Sequence, residues 1–257
     1  MQSSARPPVW LWLNLLSLDA PVIALVWQDF LSRCYPAVLN PPGRCVLGLT
    51  VWAIYVADRL LDVRRPASAG ESVRHRFYRQ HRVWARGLLA VILAADLVVT
   101  GLWLRPDVFD NGLLVIGGVV VYLGAFSFSG WGALAWKKPF AALLFTAGTF
   151  LVEWTRAGGP GERLVWPAAA FCALCLGNLL AVGRWSGGDA AVVNQRAWPW
   201  IVFLAACLVC ARGSDWFGAI VASAAGLFAL VRWGRRISCD ARCVLADAML
   251  LTPLLFR

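Results

Sequence analysis

The stretch VWAIYVADRLLDVRRPASAGESVRHRFYRQHRVWAR, residues 51–86, decides how the whole chain is read. It starts as an apolar run, closes on Asp58, Arg59 and Asp62, crosses a short loop, and becomes dense in arginine and histidine. Asp58 and Asp62 are four residues apart, so on a helix both carboxylates leave from one face. Arg74, His75, Arg76, Arg79, His81, Arg82 and Arg86 follow in one short segment. Two carboxylates for a divalent cation beside fixed positive charge make the donor set that a diphosphate requires. The same residues also fit a plainer description: the cytoplasmic end of a helix followed by a basic loop.

Composition sets the class. Hydrophobic residues make up 60% of the chain and charged residues 15%, with a mean hydropathy of +0.66. Soluble domains lie nearer ~45–50% apolar and ~25% charged, so the expectation is an integral membrane protein. The apolar runs are long and do not alternate, which favours a helical bundle over a barrel. The net charge of +10 has no soluble basic domain to carry it, so nucleic acid is not an expected partner. Topology and an anionic ligand or lipid headgroups account for it instead. Cys172, Cys175, Cys207 and Cys210 lie in apolar segments without histidine or acidic neighbours. They read as small packing residues, as do Cys239 and Cys243 on one helix face, and no disulfide framework is implied. The apolar run after Arg6 is too long for a signal-peptide core and carries Asp19 and Pro21, so it is expected to persist as a first span.

Nine spans are predicted within a single membrane domain covering 1–257: 9–31, 45–62, 84–104, 109–128, 138–154, 165–183, 197–211, 215–233 and 241–256. With the N-terminus inside, sixteen Lys and Arg fall in inner connections against seven outside. That asymmetry predicts a cytoplasmic N-terminus and a C-terminus on the outer side. Polar residues inside the spans are costly in lipid and often functional. Asn14 and Asp19, Asp58 and Asp62, Asp96, Glu153, Asn178 and Asp247 are the candidates. Glu153 is expected to pair with Arg156 on the outer rim. The two histidines, six apart, fall on different helix faces and read as hydrogen-bonding or solvent-facing groups, not a metal pair.

On these residues the chain resembles the UbiA superfamily of intramembrane prenyltransferases. That family carries N-D-x-x-D-x-x-x-D at the inner end of its second helix; here the last two aspartates stand as Asp58 and Asp62, while Ile54 and Tyr55 replace the leading Asn-Asp. Lys137 or Lys138 matches a family lysine after the fourth helix. The second acidic motif, D-x-x-D-x-x-x-D, retains only Asp189, with Val182 and Trp185 at its other positions and Asn178 one turn earlier. Asp247 in the last span is a less specific likeness. The resemblance implies an all-α bundle of about nine transmembrane helices around a central cavity, in a bacterial inner membrane. It implies a polyprenyl diphosphate held at the cytoplasmic mouth through Mg2+ on Asp58, Asp62 and Asp189. Arg59, Arg74, Arg76, Arg79, Lys137, Lys138 and Asn178 would contact the diphosphate, with Asp58, Asp62 and Lys138 serving transfer to a lipophilic or aromatic acceptor.

Two other functions share the pattern. One is a bundle of the same kind that binds an isoprenoid without transferring it, favoured by the sparse second motif. The other is a secondary transporter using Asp19, Asp96 and Asp247 as ion sites; it lacks the inverted repeat and paired helix breaks that such proteins show.

Overall fold

The computed structural model describes residues 8–35, 40–64, 72–128, 136–158, 161–185 and 216–256. Among them the structure is helical, with no strand. A short 3-10 turn, Val9–Leu11, leads into α1 (Trp12–Leu15), followed by α2 (Asp19–Cys34), α3 (Pro41–Asp62) and α4 (Val73–Gln80). Then come α5 (Arg82–Trp103), α6 (Pro106–Phe128), α7 (Lys137–Thr149), α8 (Leu151–Arg156) and α9 (Glu162–Trp185). After the undescribed segment follow α10 (Phe217–Trp233), α11 (Cys239–Ala248) and a 3-10 helix, Met249–Leu255.

Among the described residues, three helices are long and apolar enough to cross a bilayer: Arg82–Trp103, Pro106–Ala125 and Arg163–Trp185. The pair Val9–Leu15 and Asp19–Cys34 would make a fourth if taken as one broken span. The expected span at 197–211 lies outside the described residues, as does Asp189. α5 and α6 turn large aliphatic side chains outward, among them Val91, Leu97, Leu102, Leu114 and Val120.

α3 is the central helix. Pro41 and Pro42 occupy its first positions, where a missing N–H costs nothing. Its faces then divide by helical spacing. Leu47 and Val51 pack on Ala20 and Ala24 of α2. Ala53, Val56 and Leu60 pack on Ala85 and Ile92 of α5 and on Tyr78 of α4. A third stripe, running through Ile54 to Asp58, faces α6 and α7. The largest core joins Trp27, Phe30 and Leu31 of α2 to Phe171 and Leu174 of α9 and Ile220 of α10. Trp27 also donates its indole N–H to the Leu250 carbonyl at 2.7 Å, tying α2 to the C-terminal segment. Gly118 lets α6 approach α7 closely: a Cβ there would meet Leu144 Cδ2 at 2.8 Å.

The first expected span, 9–31, is broken. α1 ends in a Schellman motif, in which the Leu18 N–H bonds the Leu13 carbonyl and the Ser17 N–H bonds the Asn14 carbonyl. Ser17 adopts φ +55° at the left-handed position, and α1 and α2 meet at 82°. Composition gave no warning because apolar residues continue through the bend; the backbone turn is held by Ser17 Oγ against Tyr78 OH, 3.0 Å apart and 61 residues away in sequence. The span at 138–154 also divides, at Phe150, whose ring turns into the core against Phe171. The segment at 241–256 tightens from α to 3-10 at Met249 and contains Pro253. The basic segment after residue 72 is a helix and not a loop; the Ser72 hydroxyl accepts from the His75 N–H at its start.

One end of the bundle gathers the basic helix ends. Lys137 at the start of α7 meets Asp62 at the end of α3. Lys138 lies against Gly183 near the end of α9, and the Arg242 guanidinium of α11 sits over the Trp185 ring at 5.3 Å. The opposite end carries Arg33 and Arg44 paired with Asp29, and Arg105 with Asp107.

Ser17 tests the bend. Ser17→Ala loses the Tyr78 hydrogen bond and keeps a Cβ in the left-handed conformation, so it should destabilise the purified protein by about 1–2 kcal/mol. Ser17→Gly loses the same bond but relieves the strain, and should melt at a higher temperature than Ser17→Ala. Equal melting temperatures would remove strain from the account.

Candidate functional site

The α3 stripe ends in charge. Asp58, Arg59 and Asp62 fall on the last turns of the helix, and Lys137 enters from α7. Lys137 Nζ lies 3.0 Å from Asp62 Oδ1 and 3.6 Å from Asp58 Oδ1. Arg59 reaches back to Asp62 Oδ2 at 3.4 Å and Asp58 Oδ2 at 3.9 Å. Tyr122 of α6 donates its hydroxyl to Asp58 Oδ1 at 3.2 Å. His75 Nε2 stands 3.9 Å from Asp62 Oδ2 while its Nδ1 meets Ser72 Oγ at 2.9 Å. These ionic side chains are only 14–24% exposed, so the charges interact through less water than surface pairs do.

Beneath this network runs an apolar cleft between α3, α6 and α7. Asp58, Arg59 and Tyr122 mark its charged end; Leu47, Val51, Val115 and Leu144 belong to its apolar walls. Ile54 and Tyr55, at the positions where the family resemblance calls for Asn and Asp, both line the cleft. They supply a hydrocarbon wall and a phenol.

The basic helix α4 closes over the end of α3. Arg79 donates to the Val63 carbonyl at 3.0 Å and so fastens α4 to α3. Arg76 is exposed. Arg74 turns inward, and its buried Nε has no hydrogen-bond partner. Burial, and next the Arg59 guanidinium, pull the Arg74 guanidinium below the usual arginine range, while Asp19 and Asp247 act in the opposite sense. Burial likewise pushes the Tyr78 phenol up. His81 stacks on Phe77 at 4.6 Å, apart from His75.

The remaining sequence candidates are placed as follows. Lys137, not Lys138, reaches the carboxylates. Asn178 joins a different polar group: its amide N–H donates to Asp247 Oδ1 at 2.8 Å. Asp96 accepts from Thr50 Oγ1 at 2.8 Å, a bond between neighbouring helices. The expected Glu153–Arg156 pair does not form, because the Glu153 side chain is turned inward and both its oxygens are buried without a hydrogen-bond partner. Tyr122 was missed by sequence reading. A lone tyrosine in an apolar helix carries no local signal; only the packing of α6 against α3 gives it a role.

Among the described residues, no three His, Cys, Asp or Glu side chains converge as metal ligands. Asp58 and Asp62 place four carboxylate oxygens at this end of α3, and each of them faces Lys137, Arg59, Tyr122 or His75. No family model matches the chain, and no curated protein or solved structure matches it.

A double-mutant cycle tests the ion network without any ligand. Lys137→Met should lower stability by leaving two neighbouring carboxylates short of a cation, and Asp62→Asn in the same chain should restore part of the loss. Thermal unfolding should give a coupling of about 0.5–3 kcal/mol between the two positions. Strict additivity would mean that the two side chains do not share a network.

Proposed function

We propose that this chain is an integral membrane protein that takes a polyprenyl diphosphate into the cleft and transfers its prenyl group to a lipophilic or aromatic acceptor, as a divergent relative of the UbiA prenyltransferases. The observation that carries the reading is a single continuous site with a hydrocarbon shaft and a charged mouth. An isoprenoid diphosphate has that same division along its length. Support for the membrane setting comes from three apolar helices of spanning length and from the outward aliphatic faces of α5 and α6. Basic helix ends gathered at one end of the bundle fit a cytoplasmic location for that end. The N-terminus is then cytoplasmic and the C-terminus lies on the outer side, as in a bacterial inner membrane.

The chemistry asked of the site is cleavage of the allylic C–O bond with its electron pair leaving on the diphosphate. Preorganised positive charge stabilises that leaving group more than it stabilises the intact ester. Arg59 and Lys137 are already fixed at the mouth by Asp58 and Asp62, and Arg74 stands beside them with unspent hydrogen-bonding capacity. The cleft walls keep water from the allylic cation until the acceptor attacks. Magnesium held on Asp58 and Asp62 would add charge neutralisation of the departing diphosphate.

One finding favours a binding-only variant of this reading: Ile54 and Tyr55 stand where two further metal ligands are expected. Turnover separates the two. Membranes carrying the protein should release diphosphate from geranyl, farnesyl or geranylgeranyl diphosphate in a Mg2+-dependent manner, and Asp58→Asn should lose that release. Binding without release would establish the silent relative. Neither binding nor release would overturn both.

Arg76→Ala gives an independent check on the mouth. It should weaken diphosphate binding several-fold at low ionic strength, with the difference shrinking as salt screens the exposed guanidinium. A salt-independent loss would point to misfolding.

A further inference from the structure

The outward face of α5 gives the depth of a bilayer. Trp84 and Trp103 are both exposed, at opposite ends of the helix, and nineteen residues of helix span about 28 Å. The hydrocarbon core of a bilayer is ~30 Å thick, and tryptophan favours its two boundaries. Between the two indoles α5 turns Val91, Leu97 and Leu102 outward. Trp84 therefore stands at the boundary on the basic end of the bundle.

Aromatic contacts hold α4 and α1 at the same level. The Trp84 ring meets Phe77 of α4 edge-on at 6.2 Å, and Phe77 meets Trp12 of α1 in the same manner at 6.1 Å. The segment Val9–Leu15 lies at 82° to α2, so it runs across that helix. It buries Leu11, Asn14 and Leu15 and leaves Val9, Trp10, Trp12 and Leu13 exposed. An apolar side left open at boundary depth is the pattern of a helix lying in the membrane interface.

Charge completes the surface. Residues 72–95, from the start of α4 into α5, hold five arginines and two histidines but no aspartate or glutamate. Arg79 is committed to the Val63 carbonyl and Arg74 turns inward. Asp58 and Asp62 are taken by Lys137, Arg59, Tyr122 and His75. Among the described residues no carboxylate pairs with Arg82 or Arg86. Arg86 is exposed, and the buried Nε of Arg82 has no hydrogen-bond partner. α5 also opens without a capping side chain or an acidic residue in its first turn, where the helix dipole favours negative charge.

We propose that α1, α4 and the first turn of α5 form a docking collar for anionic phospholipids of the cytoplasmic leaflet. Trp10, Trp12 and Trp84 sit at the hydrocarbon boundary, and Arg82 and Arg86 take the lipid phosphates. The proposal rests on the membrane setting argued above and not on prenyl transfer. Charge complementarity selects the occupant. A zwitterionic headgroup brings its own ammonium, whereas an anionic lipid brings net negative charge for the two guanidinium groups to neutralise. An acidic soluble protein would meet the arginines but has no hydrocarbon to cover the apolar side of residues 9–13. Lipid meets both at once, because the collar continues the outward face of α5.

The test reconstitutes the purified full chain in phosphatidylcholine vesicles with trace spin-labelled phosphatidylglycerol or spin-labelled phosphatidylcholine. Electron spin resonance then reports the fraction of each label immobilised on the protein. Phosphatidylglycerol should be preferred by about threefold or more at low ionic strength, with the preference shrinking as salt is raised. Arg82→Gln combined with Arg86→Gln should bring the preference close to unity. Arg33→Gln combined with Arg105→Gln removes the same charge from the opposite end and should leave it intact. Tryptophan quenching by brominated phosphatidylglycerol gives a second readout should the first variant fail to fold. Its excess over quenching by brominated phosphatidylcholine should fall in Trp12→Phe combined with Trp84→Phe. Equal affinity for the two lipids in the wild type would overturn the proposal. So would an unchanged preference without Arg82 and Arg86, or an equal loss in the opposite-end variant. A chain that sodium carbonate washes free of membranes would overturn the membrane setting itself. A chain that stays in the bilayer without preference overturns the collar alone.

Discussion

The Lys137 ammonium, set between Asp58 and Asp62, is the interaction on which the functional end of the molecule depends. It joins the last turn of α3 to the first turn of α7, 75 residues away. Without it, two carboxylates on one helix face would repel each other at the end of an apolar stripe. With it, the pair becomes a locally neutral arrangement once Arg59 is counted, and the cleft below stays open between α3, α6 and α7. Neutrality also makes the mouth adjustable. Under the proposed function, an incoming diphosphate would offer Lys137 and Arg59 new partners and free the carboxylates they now hold.

α3 achieves this by assigning its faces to different neighbours. Small and β-branched residues bring it close to α2 and α5, which fixes its rotation. Rotation in turn decides where Asp58 and Asp62 project. Arg79, bonded to the Val63 carbonyl, holds the basic helix against the same end. Positive charge is therefore positioned by backbone contacts and does not depend on long flexible side chains alone.

The bend between α1 and α2 has a consequence for chemistry as well as for shape. By turning at Ser17, the chain places Asn14 and Asp19 side by side, where a straight helix would set residues five apart on different faces. Asp247 and Asn178 then complete a group that could not exist with a continuous first span. The two polar centres are thus products of two different devices: helical spacing within α3 for one, and a break in helical spacing for the other.

The amino-acid sequence by itself determined the helical class, because its apolar runs are long and continuous and do not alternate. It also located several helices to within a few residues, including α3, α5, α6 and α9, where Pro and charged residues mark the ends. The pairing of Asp58 with Asp62 was legible for the same reason: four-residue spacing is a property of one helix. Whatever joins different helices was not legible. Lys137 over Lys138, Tyr122 on Asp58, the Asp19–Asn14–Asp247–Asn178 group and the inward turn of Glu153 all depend on the relative rotation and depth of packed helices. Those are set by many small contacts at once, such as the close approach at Gly118 and the Ser17–Tyr78 bond. No single stretch of sequence encodes them, so only the tertiary structure decided them.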